Sequence, residues 1–194
     1  MNRRRLLLLA PASLSVAGLA AAGILWIEQP GAANASIGGP FALQDGNGRT
    51  ITNLDFRGKV MLVYFGYTHC PDACPTALQD MADAVDKLAP ADRQRVAIVF
   101  VTIDPARDTP AVMKDYVSGF DAPITALSGS AAAIAKVADE YRVFYAKQPE
   151  KDGEYSMDHS SIIYIMDGNG RFVGTFSPQD TPVTMASKIR TVLA

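Results

Sequence analysis

The 194-residue chain is poor in the groups that do chemistry by number: it has two cysteines, two histidines and one tryptophan. It also lacks a basic surplus, with 18 Lys and Arg against 20 Asp and Glu. Without its first 35 residues, 15 basic residues stand against 19 acidic ones. That balance excludes nucleic acid as a partner, because phosphate binding calls for a basic face. No internal repeat and no second compositional block are present, so the length fits one domain plus an N-terminal appendage. The stretch DGNGR occurs twice, at 45–49 and 167–171, without the further ligands or closing Glu of a calcium loop. Both copies read as hairpin turns.

What is there begins with a targeting segment. Arg3, Arg4 and Arg5 lead an apolar run from Leu6 to Ile27, with Trp26 at its far end. A cleaved signal has an apolar core of about 7–15 residues, whereas this run has the length of a membrane span. Residues 1–5 therefore read as a cytoplasmic basic segment, 6–27 as a transmembrane anchor, and Gly/Ala/Pro-rich 28–40 as a linker. ANA at 33–35 keeps a cleaved signal open as the alternative. Positive charge stays inside, which puts residues 36–194 beyond the membrane, in an oxidising compartment where thiols need a reason to stay reduced.

The apolar run VMLVYFG (60–66) reads as a buried central strand, and VAIVFVTI (96–103) as another. Between them Cys74, Leu78, Met81, Val85 and Leu88 mark one face of a helix. Thr109-Pro110 and Thr181-Pro182 each give an N-cap followed by proline, opening helices to about Phe120 and to the C-terminus. A short strand is expected near 124–127, then a helix carrying Ile134, Val137, Tyr141 and Phe144 on its inner side, with Tyr145 also in the core. SSIIYIMD and FVGTFS form the closing hairpin. This element order is that of a thioredoxin-like α/β fold with an N-terminal β-hairpin.

Both cysteines, Cys70 and Cys74, sit where the first buried strand hands over to a helix. Pro75 lacks an N–H and fits only the first helical turn, so the helix starts near 72–75. Its N-terminus favours thiolate at both sulfurs. Three uses compete: a structural disulfide, a redox pair, or two metal ligands. Thioredoxin-type pairs have two intervening residues; here Pro71, Asp72 and Ala73 intervene. A bridge can still close, since positions four apart at a helix start lie about 6 Å apart between Cα atoms. A bridge over so short a loop restricts the unfolded chain little. A peroxidase on the same fold finds no separate resolving thiol.

Of the histidines, His69 adjoins Cys70 and points to the opposite face, a supporting or packing residue rather than a ligand. His159 precedes the strand expected to run antiparallel beside the one ending at the cysteines, which brings it toward both sulfurs. Two thiolates and an imidazole form a soft set suited to Cu(I), with zinc as competitor. Asp108 is expected to support the following helix start, and Asp104 to tune the site more weakly.

GYTHCPDACP, VTIDPARDTP and MDHSSIIYIMD, in this order and at these separations, resemble the Sco (SenC) copper-binding proteins of cytochrome c oxidase assembly; GGPFALQDGNGRTIT and FRGK fit the same likeness. The resemblance covers about 37–194 and implies a thioredoxin-like domain tethered to a membrane by one N-terminal helix, in a periplasm or intermembrane space; the Ala- and Leu-rich N-terminus favours the bacterial inner membrane, with the domain facing the periplasm. Carried over residue by residue, the copper ligands fall on Cys70, Cys74 and His159. The implied cargo is Cu(I) or Cu(II), and the implied partner is the CuA domain of oxidase subunit II, with other copper chaperones as further candidates. The likeness equally implies the alternative of a thiol–disulfide oxidoreductase keeping that subunit's cysteines reduced, with Cys70 and Cys74 as the redox-active pair.

Overall fold

The structure, a computed structural model, describes residues 37–194. The expected basic segment, membrane span and most of the linker lie outside the described residues. Among the described residues no helix is long and apolar enough to cross a membrane.

β-Branched and aromatic residues without a polar break make β3 (Val60–Gly66) and β4 (Val96–Thr102) the two innermost strands, and every side chain of β3 is buried. They pair in parallel from Val60↔Val96 to Gly66↔Thr102. Ahead of them, β1 (Ala42–Asp45) and β2 (Thr50–Thr52) form the first hairpin. α1 (Ala73–Asp86), the single turn α2 (Pro90–Arg93), α3 (Pro110–Val117) and α4 (Ala131–Glu140) alternate with β4 and β5 (Ile124–Ser128). β8 (Ile163–Met166), β9 (Phe172–Phe176) and α5 (Pro182–Leu193) close the chain. The seven-stranded sheet runs β2-β1-β5-β4-β3-β8-β9, with β8 antiparallel to β3 from Tyr64↔Ile163 to Met61↔Met166. It is the mixed sheet of a thioredoxin-like α/β domain.

Alternation along β3 sorts the core into two faces. Tyr64 stacks on Phe100, which meets Tyr116 of α3, on the face where α1 and α5 pack together. Phe65 points the other way, to Tyr141 after α4 and to Tyr164 of β8.

The two DGNGR turns are built alike. One oxygen of Asp45 accepts from the N–H groups of Asn47 and Arg49, both at 2.9 Å, and the other from Arg49 Nε at 2.8 Å. Asp167 repeats this with Asn169 and Arg171. Turn donors and an arginine occupy the carboxylates, as the turn reading requires.

Two expectations fail between residues 140 and 160. Phe144 is 64% exposed, not core. The helix stops at Glu140 and Arg142 takes φ 55°, so the helical spacing no longer applies beyond it. The chain then forms an additional ribbon, β6 (Tyr145–Pro149) with β7 (Tyr155–His159), that is separate from the main sheet. Its short, charged strands carry no apolar run to announce them. Replacing the Asp167 carboxylate by Asp167→Ala should cost about 1–2 kcal/mol, read as a lower denaturant midpoint, while added calcium should leave the wild-type melting temperature unchanged.

Candidate metal centre

Cys70 lies in the loop after β3, and Cys74 is the second residue of α1. The helix begins at Ala73, and Asp72 before it makes no side-chain cap. The first-turn N–H of Cys74 instead points to Cys70 Sγ at 3.4 Å, so a sulfur stands where a capping oxygen usually does. Cys74 is fully buried against Tyr64, whose hydroxyl is 3.9 Å from its sulfur, while Cys70 is half-buried.

Because β8 runs antiparallel to β3, the chain enters β8 beside the end of β3, and His159 arrives there as the last residue of β7. Its Nε2 is 3.7 Å from Cys74 Sγ, and the donor atoms of Cys70, Cys74 and His159 all lie within 4.8 Å of one another. Its Nδ1 is 3.2 Å from the Ser160 carbonyl oxygen, which can only accept. Nδ1 therefore carries the proton in the neutral ring and Nε2 turns a lone pair toward the thiols. With bonds of about 2.3 Å to sulfur and about 2.0 Å to nitrogen, donors 120° apart on one metal ion are about 3.7 Å from each other. The pair is already spaced for a shared ion.

Burial sets the protonation states. It pushes the Cys74 thiol up to about 12 despite nearby hydrogen-bond donors, and holds the His159 imidazole below its usual range. The expected helix-terminus activation of Cys74 is thus outweighed by desolvation. A metal ion reverses this, because coordination displaces the thiol proton.

The neighbouring polar residues divide differently from expectation. Asp108, fully buried, does not cap α3; Thr109 does, accepting from Val112 N–H. The Asp108 carboxylate accepts from Thr68 N–H at 3.0 Å, Thr68 Oγ1 at 2.6 Å and Thr102 Oγ1 at 2.7 Å. It ties the thiol-bearing loop to the end of β4. Asp104 does not touch the sulfurs; it accepts from Arg107 Nε at 2.5 Å and from the Tyr155 hydroxyl at 2.9 Å. His69 is exposed, with Nδ1 3.1 Å from Thr68 Oγ1, and stays outside the three-donor group as expected.

Sequence reasoning missed three contributors. The rings of Tyr64 and Tyr67 wall the imidazole, each with its centroid 6.0 Å away and nearly perpendicular. Gly66 ends β3 where an added Cβ would lie 2.6 Å from Cys74 Sγ. Only a residue without a side chain leaves room for the buried thiol, and the glycine directly preceding the YTHC stretch was the available signal.

These features define a thioredoxin-like domain carrying a soft two-sulfur, one-nitrogen site at a helix mouth. A family model described as SCO1/SenC matches residues 29–194, and the chain belongs to that family. It is 42% identical over 146 residues to the mitochondrial protein SCO1 homolog 1 of Arabidopsis thaliana, covering 75% of this chain and 44% of that protein. An SCO2-like protein of Rickettsia felis is 40% identical over 153 residues, covering 77% of this chain and 73% of the relative. The chain therefore spans less than half of the plant relative and about three-quarters of the rickettsial one. Among solved structures, Bradyrhizobium japonicum ScoI with copper bound superposes with a TM-score of 0.76 at 47% identity, covering 81% of this chain and 100% of that one. Arabidopsis thaliana ScoI with copper bound gives 0.77 at 36% identity, covering 81% and 98%.

Two outcomes follow from the buried thiol. Ionisation of the unfolded Cys74 thiol, which the folded one does not match, should lower the stability of the reduced, metal-free protein by up to about 1.4 kcal/mol between pH 9 and 10, on top of the smaller losses from the buried tyrosines, whose hydroxyls burial also holds up. Cys74→Ala should lessen the total loss by the thiol's share in denaturation curves at the two pH values. Gly66→Ala should cost about 1–3 kcal/mol by overpacking, measured by urea denaturation.

Proposed function

We propose that this chain is a membrane-anchored copper chaperone that carries copper to the CuA centre of cytochrome c oxidase subunit II. Copper is its cargo, held by the Cys70 and Cys74 thiolates and by His159 Nε2. The observation that carries the reading is the 3.7 Å approach of an imidazole lone pair to a thiol 85 residues away in the chain. Membership of the SCO1/SenC family and the copper in two related structures support the choice of metal, and sulfur–imidazole sets suit Cu(I). A cleft of about 220 Å³ beside Tyr64 carries Asp72, Asp80 and Asp180 and no lysine or arginine in its lining, which favours the approach of a cation. In this reading residues 6–27 anchor the chain in the bacterial inner membrane, with 28–40 as the linker and 41–194 facing the periplasm.

The donor set also says how the ion is handled. Cys70 is the sulfur open to solvent, so it receives the ion first, and Cys74 and His159 close on it from inside. The His159–Ser160 hydrogen bond keeps the imidazole proton on Nδ1, so this ligand binds without losing a proton at neutral pH. Cys74 must lose one.

The same burial asymmetry favours a second reading, thiol–disulfide reduction of the partner's cysteines. The Cys70 thiolate attacks the partner's disulfide, forming a mixed disulfide and releasing one partner thiol. Cys74 then attacks the Cys70 sulfur, forming the Cys70–Cys74 bond and releasing the second; the dithiol has supplied both electrons.

The 194-residue chain with reduced thiols should bind one copper ion. His159→Ala should lower its affinity and change the Cu(II) spectrum, and an unchanged affinity and spectrum would refute the ligand assignment. Apparent affinity in wild type should rise by at least about tenfold per pH unit between pH 6 and 8 as the Cys74 proton becomes easier to displace. In a deletion strain, rescue of oxidase assembly by excess copper supports the chaperone role, and rescue only by an added thiol supports reduction.

A further inference from the structure

The β6–β7 ribbon has no hydrogen-bonded neighbour in the main sheet, and an isolated two-stranded ribbon is marginal in water. Yet its last residue, His159, must be placed to a fraction of an ångström. Cross-strand pairing puts Tyr145, Lys147, Pro149, Tyr155, Met157 and His159 on one face of the ribbon; Met157 is buried and Tyr145 and Tyr155 pack against the core, while Lys147 and Pro149 are exposed. Polar attachment of that face runs through Tyr67, whose hydroxyl meets the Met157 backbone, and through the loop after β4. Arg107 donates from Nη1 to the Tyr155 carbonyl at 2.9 Å and from Nε to Asp104 at 2.5 Å. Its guanidinium lies 3.7 Å from the Tyr155 ring centroid, and the Tyr155 hydroxyl returns to Asp104 at 2.9 Å. Lys147 Nζ covers the same ring at 3.4 Å. Asp104 in turn is joined to the thiol side, since its N–H donates to Thr102 Oγ1 at 2.9 Å and that hydroxyl donates to Asp108.

We propose that Arg107 is a positioning residue for the metal centre: its clamp on Tyr155 sets the ribbon so that His159 meets the two thiols. The inference rests on His159 being a ligand, as read above. What separates it from ordinary packing is its reach: one side chain joins Tyr155, at the start of the strand that ends in His159, to Asp104, which is tied through Thr102 to Asp108 and the thiol-bearing loop. The planar guanidinium is what the clamp uses, because its N–H groups bond two acceptors in the plane while its face stacks on the ring.

The experiment is a double-mutant cycle on copper affinity in the 194-residue chain, with thiols reduced and Cu(I) measured by competition with bathocuproine. Arg107→Gln is compared with wild type, and the same change is made in a His159→Ala background. Expected is a loss of about tenfold in affinity in the first pair, together with a Cu(II) spectrum shifted toward that of His159→Ala, and no further loss in the second pair. Arg107→Lys keeps the charge without the planar guanidinium and should not restore the affinity. An affinity within twofold of wild type and an unchanged spectrum overturns the proposal. So does an equal loss with and without His159, which marks a general structural defect. If Arg107→Gln does not fold, Tyr155→Phe, which removes only the hydroxyl on Asp104, enters the same cycle with the same criteria. His159→Ala without effect on affinity is read separately: it overturns the ligand assignment and takes this inference with it.

Discussion

The metal centre depends on the loop Thr102–Asp108, which grips two pieces of chain that share no hydrogen-bond ladder. On one side the buried Asp108 carboxylate takes three hydrogen bonds from Thr68 and Thr102 and fixes the loop leading to Cys70. On the other, Asp104 and Arg107 take hold of Tyr155 at the start of the strand that ends in His159. A buried carboxylate is costly unless its lone pairs are satisfied, and Asp108 meets that condition by bonding the thiol loop. The same polar atoms that make the segment tolerable inside the domain also join the halves of the site.

Burial divides the two sulfurs by role. Cys74, with no exposed surface, is held protonated without metal, and Cys70 beside it meets solvent. An inner thiol in that state resists adventitious oxidation, since the thiolate is the reactive form. The rings of Tyr64 and Tyr67 wall two sides of the half-buried imidazole. Gly66 is the steric condition for all of it, leaving the space that the Cys74 sulfur fills.

Much of this was legible in the sequence. The buried runs of β3 and β4, the Thr-Pro helix starts and the twin turns depend on local chemistry and appear where the residues place them. The convergence of His159 on the cysteines followed from strand order, since β8 must enter where β3 leaves. The ribbon was not legible. Tyr145–Pro149 and Tyr155–His159 are short, charged and joined by an exposed turn, so no hydrophobic period marks them, and they meet the domain through tertiary contacts of Met157, Tyr145 and Tyr155 with the core and of Tyr155 with Arg107. The role of Asp108 was misread for a related reason: a carboxylate next to a helix start has a local use, and its actual partner Thr68 lies 40 residues back. The Cys74 environment was misjudged because helix-end electrostatics can be read from position, whereas desolvation needs the packed neighbours.

The ribbon's attachment has a consequence for how the fold tolerates change. Tyr155 is fastened about 13 Å along the strand from His159, and the tip at Lys151–Gly153 lies beyond that fastening, away from the imidazole. Length, charge or an attached label at the tip is mechanically insulated from the imidazole and the two thiols. The tip can therefore be lengthened or recharged without disturbing the geometry at the far end of the ribbon.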